Sequence, residues 1–416
     1  MRARRPAAGG RTSLRAPRAH GGSRRRGAAR VRVGVIYGGR SVEHEVSLVS
    51  ARAIMQALDP GRYEVVPIGI TRKGRWVIGG AHCALPPDPS VRRLVRLRDG
   101  GAPRAPLPAA RSGSALKTAG RSPRGAAGRA LLGKLDVIFP VVHGTGGEDG
   151  SLQGLLELAG LPYVGAGVLG SALGMDKALM KVAFGQAGLP IVDHRVIRHC
   201  DLTGGRDRFI RSVESAFGYP CFVKPANGGS SVGVSKAKDR GGLVAAIDLA
   251  ARYDRKLIVE RAIDAREIEC SVLGNDEPEA SVPGEILPAN EFYDYRSKYI
   301  DPGSRLLIPA PLTAEQSRRI RDLAVRAFRC LDLCGMARVD FFLDRRSEAI
   351  FVNEVNTIPG FTPISMYPKL WEASGLPFPG LVDRLIRLAL ERHSEKKRLI
   401  TSYRPGRNGR RALTKG

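Results

Sequence analysis

The sequence predicts an α/β protein whose N-terminal part is doubly wound, with helices on both faces of a mostly parallel sheet. Residues 31–39 read VRVGVIYGG, a buried-strand pattern that runs into a glycine turn. A helix pattern, SLVSARAIMQAL, follows at 47–58, and a second strand pattern, YEVVPIGIT, at 63–71. This order of strand, glycine turn, helix and strand is typical of doubly wound domains. The length of 416 residues leaves room for two or three domains.

The formal net charge of +27 is concentrated in three segments. Residues 1–30 contain ten arginines and no acid, residues 91–130 contain ten basic residues against Asp99, and residues 401–416 contain five basic residues and no acid. All three are rich in Gly, Ala, Pro and Ser, which favours disorder over a shaped basic surface. We therefore expect a disordered extension at 1–30, a disordered insertion at about 80–130 and a disordered tail at 401–416. A protein that binds polyanions through these segments is the alternative from another functional class.

Cysteine usage and hydropathy indicate the compartment. Six cysteines are scattered without a CxxC pair, and no apolar run reaches transmembrane length. We expect reduced thiols, a cytoplasmic location, no membrane insertion and no specific nucleic-acid partner. The Arg-rich N-terminus lacks the apolar segment of a secretory signal, so it is a real extension, an organelle transit segment or a mis-assigned start.

Two glycine-rich loops follow strand patterns in the N-terminal part. The first leads past Glu43 into the first helix, and the second begins at His143 and reads HGTGGEDG. Ligands of doubly wound folds bind outside the carboxyl ends of strands, so we expect both side chains to face a ligand. The alternatives are a first-turn acid stabilised by the helix dipole and a structural histidine.

The middle of the chain carries residues suited to a phosphate chain. A helix pattern at 171–188 contains Lys177, and a strand ending near Lys224 runs into the loop NGGSSVG at 227–233. Backbone amides and hydroxyls of such a loop can hold phosphates, and lysines add point charges. The loop is not a Walker loop, because G-x-x-x-x-G-K-[ST] is absent.

Two glutamates alternate with apolar residues in the following strand pattern. Glu260 and Glu267 could accept hydrogen bonds from an adenine amino group and a ribose, or they could be solvated strand charges.

Residues 338–360 predict two apolar strands joined by a polar turn. Side chains alternate across a strand, so Arg338 and Asp340 share one face, and Glu354 and Asn356 share one face. If pairing brings these faces together, two carboxylates, an amide and a guanidinium converge. Such oxygen ligands suit Mg²⁺ held together with phosphates. The alternative is a half-exposed hairpin whose polar side chains face water.

The remaining segments complete the predicted fold. Residues 290–305 are expected to form a loop that lies over a site. A helix follows, with Thr313 as N-cap and Gln316 at the capping-box position. Residues 361–375 are expected to form a loop before a final amphipathic helix.

Several of these segments resemble the D-alanine–D-alanine ligases of the ATP-grasp superfamily. They are HGTGGEDGSLQG, MDK at 175–177, VKPANGGSSVGVSK, EFYDYRSKY and RVDFFL…FVNEVNTIPGF, in this order. The resemblance extends from about Val31 to Lys397 and is weakest at 80–130. It implies a three-domain ATP-grasp architecture, with a Rossmann-like N-terminal domain at 31–165, a central domain at 166–263 and a C-terminal domain with the metal site at 264–400. It also implies ATP-dependent ligation of two D-alanines through an acyl phosphate for peptidoglycan synthesis, by a homodimer.

The resemblance further implies roles for individual residues. The catalytic set is Glu43, Ser230, Tyr299, Arg338, Gly360 and Ser365. The substrate-binding set is Glu43, Val46, His143, Lys298, Arg338, Ser365 and Met366. The ATP-binding set is Lys177, Lys224, Ser230, Ser231, Glu260, Arg261, Ile263, Glu267, Asn353 and Glu354. Two Mg²⁺ or Mn²⁺ ions would be held by Asp340, Glu354 and Asn356.

The same resemblance leaves two alternatives. D-alanine–D-lactate ligases are similar but carry a histidine-bearing loop in place of the Lys-Tyr pair, so Lys298 and Tyr299 favour D-alanine as second substrate. An inactive or diverged ligase is disfavoured because every motif residue is present.

Overall fold

The computed structural model of the chain describes residues 29–78, 135–287 and 305–400. The expected insertion and basic tail lie outside the described residues, as does the expected extension except for its last two positions. The expected loop over the site at 290–305, with Lys298 and Tyr299, also lies outside them except for Arg305, which begins a strand.

The N-terminal sheet confirms the predicted doubly wound pattern. Its strands are β1 (Val31–Gly38), β2 (Tyr63–Ile70), β3 (Trp76–Ile78) and β4 (Val137–Val141), and its helices are α1 (His44–Ala57) and α2 (Ser151–Leu158). The strand order is β3-β2-β1-β4, and β1 runs parallel to both β2 and β4. The carboxyl ends of β1 and β4 therefore lie side by side, which places the loops of Glu43 and His143 at the same edge of the sheet.

The predicted single helix at 171–188 is wrong, because Asp176 interrupts it. The structure has α3 (Val168–Met175) and α4 (Lys177–Gln186) instead. Asp176 is extended, and its carboxylate accepts the N–H groups of Ala178 and Leu179, each at 3.1 Å. This N-cap starts a new helix and makes Lys177 its first residue.

The central sheet is antiparallel and has the order β5-β8-β6-β7. Its strands are β5 (His194–Arg198), β6 (Cys221–Pro225), β7 (Ser235–Ala237) and β8 (Lys256–Arg261), and its helices are α5 (His199–Leu202), α6 (Arg206–Ala216) and α7 (Arg240–Ala250). Helices α6 and α7 bury Val213 and Ile247 in one cluster with Val223 of the sheet.

The C-terminal sheet is also antiparallel, with the path β12-β11-β9-β13-β14 and β10 paired to β9. Its strands are β9 (Ala265–Gly274), β10 (Glu279–Ala280), β11 (Gly284–Leu287), β12 (Arg305–Leu307), β13 (Gly335–Asp344) and β14 (Ile350–Asn356). Its helices are α8 (Ala314–Cys330), α9 (Met366–Ala373) and α10 (Phe378–Arg398). The predicted capping box of Thr313 and Gln316 is confirmed at the start of α8.

The predicted loop at 361–375 is wrong in part, because α9 forms within it. Ser365 occupies its N-cap position, and Pro368 lies in its first turn, where the missing N–H has no helical partner to lose.

The apolar cores do not follow the chain order. Helix α10 packs on the N-terminal sheet, so Leu381 and Leu385 share a cluster with Tyr37 and Phe139. Helix α4 instead joins the core of the C-terminal sheet through Phe184.

The predicted domain limits at 165, 263 and 400 stay a prediction. Across the described ranges, no helix combines the length and hydropathy needed to cross a membrane.

Candidate active site

Two cavities share a wall formed by the start of α4, the loop at 228–230 and strands β9, β11 and β14 of the C-terminal sheet. The larger has a volume of about 510 Å³ and the smaller about 100 Å³. Among the described residues, both are lined by Lys177, Gly228, Gly229, Ser230, Glu269, Ile286 and Glu354. A group transferred between the two cavities would pass along this shared wall.

The larger cavity brings together all of the residues predicted to bind ATP. They are Lys177, Lys224, Ser230, Ser231, Glu260, Arg261, Ile263, Glu267, Asn353 and Glu354, and Asp340 lies with them. Its volume is within the range of ordinary ligand sites. The position of these residues agrees with the predicted role, while the role itself stays a prediction.

Glu260 forms the buried electrostatic centre of the larger cavity. Its carboxylate lies 2.6 Å from Lys224 Nζ and 2.9 Å from Lys181 Nζ. Burial acts to raise the pKa of Glu260, but the two ammonium groups overcome it and hold the pKa well below its usual range. Glu260 is therefore a carboxylate that aligns two lysines. The sequence placed Lys181 on the same predicted helix as Lys177, one turn later, but gave it no role in the site.

The glycine–serine loop approaches the shared wall in an unusual backbone conformation. Ser230 and Ser231 have φ values of +51° and +58°, in the left-handed region that few residues other than glycine adopt. Such strain is concentrated at functional sites. Lys177 Nζ donates to the Gly228 carbonyl at 2.8 Å and lies 3.3 Å from Glu354 Oε2. The first residue of α4 thus connects this loop to β14.

Glu43 links the N-terminal sheet to the same loop. It immediately precedes α1 and is buried, and its Oε1 accepts a short hydrogen bond from Ser230 Oγ. A Cβ on Gly229 would lie 3.0 Å from Glu43 Oε2, so the close approach favours glycine there. Glu43 and Ser230, both in the predicted catalytic set, are thus in contact, whereas Tyr299 of that set lies outside the described residues.

The hairpin of β13 and β14 brings its polar faces together as predicted. Arg338 pairs with Asn356, and Asp340 pairs with Glu354. Arg338 donates through Nε and Nη2 to the two Asp340 oxygens, each at 2.7 Å, and Nε lies 3.0 Å from Glu269 Oε2. Sequence reasoning missed Glu269, although it follows Glu267 by two positions and therefore shares its strand face.

The hairpin residues fit a hard divalent cation. Asn356 Oδ1 is buried, and no described residue donates a hydrogen bond to it. Two carboxylates, those of Asp340 and Glu354, face each other on the adjoining strand positions. Carboxylate and amide oxygens are the ligands that Mg²⁺ takes, usually with phosphates and water. Within the described residues, no group of three or more His, Cys, Asp or Glu side chains could hold a metal ion, so other ligands would have to complete the shell.

The segment after β14 closes the smaller cavity. Gly360, Ser365 and Met366 line it together with Glu43, His143 and Arg338. A Cβ on Gly360 would lie 2.7 Å from Ser365 Oγ, so the hydroxyl and this backbone are in close contact.

Comparison with known proteins agrees with this geometry. Residues 32–166 match the family model "D-ala D-ala ligase N-terminus", and residues 183–387 match "D-ala D-ala ligase C-terminus". The chain belongs to the D-alanine–D-alanine ligase family. The predicted family and the ATP-grasp α/β fold class are confirmed.

Individual members of the D-alanine–D-alanine ligase family align over nearly their whole length. The D-alanine–D-alanine ligase of Heliobacterium modesticaldum is 50% identical over 387 residues, which cover 90% of this chain and 98% of that protein. The solved D-alanine-D-alanine ligase from Coxiella burnetii is 39% identical with a TM-score of 0.72, covering 89% of this chain and 97% of that one. The solved VanG D-Ala:D-Ser ligase from Enterococcus faecalis is 32% identical with a TM-score of 0.68, and the match covers 87% of this chain and 100% of that one.

For two residues that were predicted to bind substrate in this D-alanine–D-alanine ligase family member, His143 and Val46, the structure gives weaker support for a substrate contact. His143 lines the smaller cavity, but its Nδ1 is engaged by the Ile358 carbonyl at 2.9 Å, and burial lowers its pKa. Val46 is buried in α1 and is not among the described residues that line either cavity. Its predicted contact with substrate stays a prediction.

Glu148 is a site residue that sequence reasoning placed in the ligand-facing loop after His143 but to which it gave no role. It lines the smaller cavity, and its two oxygens accept the N–H groups of Gly144 at 2.5 Å and Ile358 at 3.1 Å. Burial, and then the nearby charge of Glu43, raise the pKa of Glu148 to about 8. The signal available in the sequence was its place in the glycine-rich loop after His143.

Proposed function

We propose that this chain joins two D-alanines to D-alanyl-D-alanine at the expense of ATP, through an acyl phosphate, to supply peptidoglycan precursors. The observation that carries the proposal is the shared wall. A cavity lined by lysines, a glycine–serine loop and strand carboxylates opens beside a cavity lined by Glu43, Arg338 and Gly360. ATP in the first and an amino acid in the second would meet there. The names and high identity of the relatives support the same activity.

In the larger cavity, each group has a distinct task. Lys177, Lys224 and the loop at 228–233 bind the phosphates, and Glu260 and Glu267 contact the nucleoside, with a backbone contact at Arg261. Asp340, Glu354 and Asn356 would hold two Mg²⁺ or Mn²⁺ ions, which would neutralise charge on the phosphate oxygens. Because Glu260 already aligns Lys181 and Lys224, these charges need little reorganisation during the reaction.

In the smaller cavity, the residues position the two amino acids. Glu43 binds the ammonium group of the first D-alanine, whose carboxylate is a poor electrophile until phosphorylation turns one oxygen into a leaving group. The amine of the second D-alanine, held through its carboxylate by Lys298 and Ser365, then attacks. Arg338 and the Gly360 N–H stabilise the oxyanion, as preorganised donors do. Water must be excluded because an acyl phosphate hydrolyses readily.

Phosphate release from ATP tests the proposed function. Release should require both D-alanine and a divalent cation, and the product should be D-alanyl-D-alanine. Phosphate release at the same rate with and without D-alanine would reject the proposal.

The second substrate is tested by competition. Besides D-alanine alone, the assay would contain D-alanine with D-lactate or with D-serine, because one structural relative is a D-Ala:D-Ser ligase. We expect D-alanyl-D-alanine to dominate at neutral pH. A dominant product from D-lactate or D-serine would overturn the choice of second substrate but not the ligase reaction.

Location and assembly are parts of the same proposal. We place the enzyme in the cytoplasm, where the free thiols of the described cysteines would persist. Deleting residues 1–30 and 401–416 should leave ligase activity intact. Polyanion binding as the main function instead predicts salt-sensitive polyanion binding that survives loss of Asp340. We expect a homodimer, so sedimentation should give about twice the chain mass of 44.8 kDa.

A further inference from the structure

The segment that follows β14 is held by side chains from the N-terminal part of the chain. The Ile358 N–H donates to Glu148 Oε1 at 3.1 Å, and the Ile358 carbonyl accepts from His143 Nδ1 at 2.9 Å. All three residues are buried. Because residues 357–361 belong to no helix or strand, these side chains satisfy backbone groups that have no ladder partner.

A third contact holds the other end of the segment. The Phe361 N–H donates to Ser50 Oγ at 3.1 Å, and Ser50 Oγ lies 3.5 Å from His143 Nε2. With Nδ1–H donated to Ile358, Nε2 of a neutral His143 is an acceptor, so the Ser50 hydroxyl can point toward it. Ser50, His143 and Glu148 therefore form one group, which we call the backbone clamp.

Gly360 lies between the two clamped residues. Pro359 has no N–H, so the segment 358–361 has three backbone donors, and the clamp engages those of Ile358 and Phe361. No described residue accepts a hydrogen bond from the remaining one, the Gly360 N–H, and Gly360 lines the smaller cavity.

We propose that Ser50, His143 and Glu148 are positioning residues that hold segment 358–361 so that the Gly360 N–H faces the reacting carbonyl. This inference rests on the proposed function. Glu43 immediately precedes α1, and Ser50 lies within α1. The same helix thus fixes the group that binds the ammonium end of the first D-alanine and the donor at its carbonyl end.

Apolar packing alone already anchors this segment. The Phe361 ring packs edge-on against Phe139 with ring centroids 5.8 Å apart, and against Tyr367 at 5.6 Å. The backbone clamp additionally fixes the direction in which the N–H groups of segment 358–361 point. Misplacing a reacting group by about 1 Å can lower the rate on the order of 100-fold, so direction matters here.

The decisive variant is Ser50→Ala, with Ser47→Ala as its matched control. Ser47 is a buried serine of the same helix whose hydroxyl accepts the Gly38 N–H at 2.7 Å and donates to the Val141 carbonyl, away from segment 358–361. Both variants should lower Tm. Only Ser50→Ala should lower kcat, on the order of 10- to 100-fold, with the KM for ATP unchanged.

Two further measurements separate positioning from mere stability. Glu148→Gln replaces one acceptor oxygen by an NH₂ donor, so it can accept only one of the two N–H groups, and it should show the same loss in kcat. Affinity for a tetrahedral phosphinate analogue of the dipeptide, measured with ATP present, should fall in Ser50→Ala by a factor similar to that in kcat.

The outcomes distinguish the two proposals. A wild-type protein without D-alanine-dependent phosphate release rejects the proposed function and the clamp with it. An active wild type in which Ser50→Ala and Ser47→Ala have equal kcat, or in which Ser50→Ala retains full affinity for the phosphinate, rejects the positioning role alone.

Discussion

At the scale of single residues, Arg338 carries two tasks. It neutralises Asp340 on its own strand and Glu269 on the neighbouring strand β9, and it is our candidate for stabilising the oxyanion. Substitution therefore affects stability as well as rate, because it takes a cation away from two poorly exposed carboxylates.

We expect Arg338→Lys to lower kcat about 100- to 1,000-fold, as loss of an oxyanion donor does. Lysine keeps the charge but not the planar fork. The matched control is Arg266→Lys, because Arg266 forms a similar two-point pair with Glu285, at 2.9 and 2.7 Å, and lines neither cavity. Steady-state kinetics and thermal unfolding of both variants check the prediction. Equal kcat values in the two variants would remove Arg338 from the reaction.

The raised pKa of Glu148 predicts a pH-dependent stability. Its ordinary value is 4.5, and the folded protein raises it to about 8, so the folded state holds this proton more tightly than the unfolded chain. The contribution to stability is complete below about pH 4.5 and is lost as pH rises through about 8. The free energy of unfolding of wild type minus that of Glu148→Gln should thus fall between pH 5 and 8 and level off above. Urea titrations of both proteins across this range measure it, and a difference that rises with pH would contradict the expectation.

Which site residues can be predicted depends on where their partners lie in the chain. Residues set in recognisable motifs, such as Glu43, Lys224 and Glu354, were identified from the sequence. Ser50 was not identified, because its partner Phe361 is 311 positions away, and Glu148 was placed in a ligand-facing loop without a role, because its partner Ile358 is 210 positions away. A single polar residue in a helix or loop carries no periodic signal of a contact made only after folding.

At the scale of elements, the sequence predicted periodic segments better than their interruptions. The parallel N-terminal strands, the β13–β14 hairpin and the capped α8 follow directly from apolar periodicity and cap residues. The break at Asp176 was not predicted, because the apolar periodicity continues through it. Helix α9 was not predicted either, because Pro368 disfavours a helix there.

The break at Asp176 has a testable effect on ATP binding. Asp176→Ala should lower stability by about 1–2 kcal/mol through loss of the cap, and it also removes the ion pair with Lys256. Because Lys177 begins α4, we expect the KM for ATP to rise as well. Thr313→Ala, which removes the N-cap of α8, is the control for cap loss and should leave that KM unchanged. An unaltered KM in Asp176→Ala would separate the helix start from phosphate binding.

The β13–β14 hairpin should set the requirement for metal. Asp340→Asn removes one negative charge from the predicted ligands, so half-maximal activity should need several-fold more Mg²⁺. Asp344→Asn changes a half-buried residue at the end of β13, next to the hairpin turn, and should give the same Mg²⁺ titration as the wild type. Identical titrations for the two variants would place the metal elsewhere.

At the scale of the whole molecule, the N-terminal and C-terminal sheets should unfold together, because α10 and both sheets contribute to one apolar cluster. The two tryptophans report on this separately: Trp76 lies in β3 and Trp371 in α9. In the variants Trp76→Phe and Trp371→Phe, fluorescence during urea unfolding should give coincident midpoints once each variant is corrected for its own stability by circular dichroism. Well-separated midpoints would show that the two parts unfold independently.

The position of α10 also matters while the chain is being made. Strand β1 leaves the ribosome more than 300 residues before Phe378–Arg398 is synthesised. At about 5–20 residues per second, that interval is on the order of 20–70 seconds. During it, the face of the first sheet that packs on both α1 and α10 is covered by α1 alone, so we expect nascent chains to depend on chaperones until translation is almost finished.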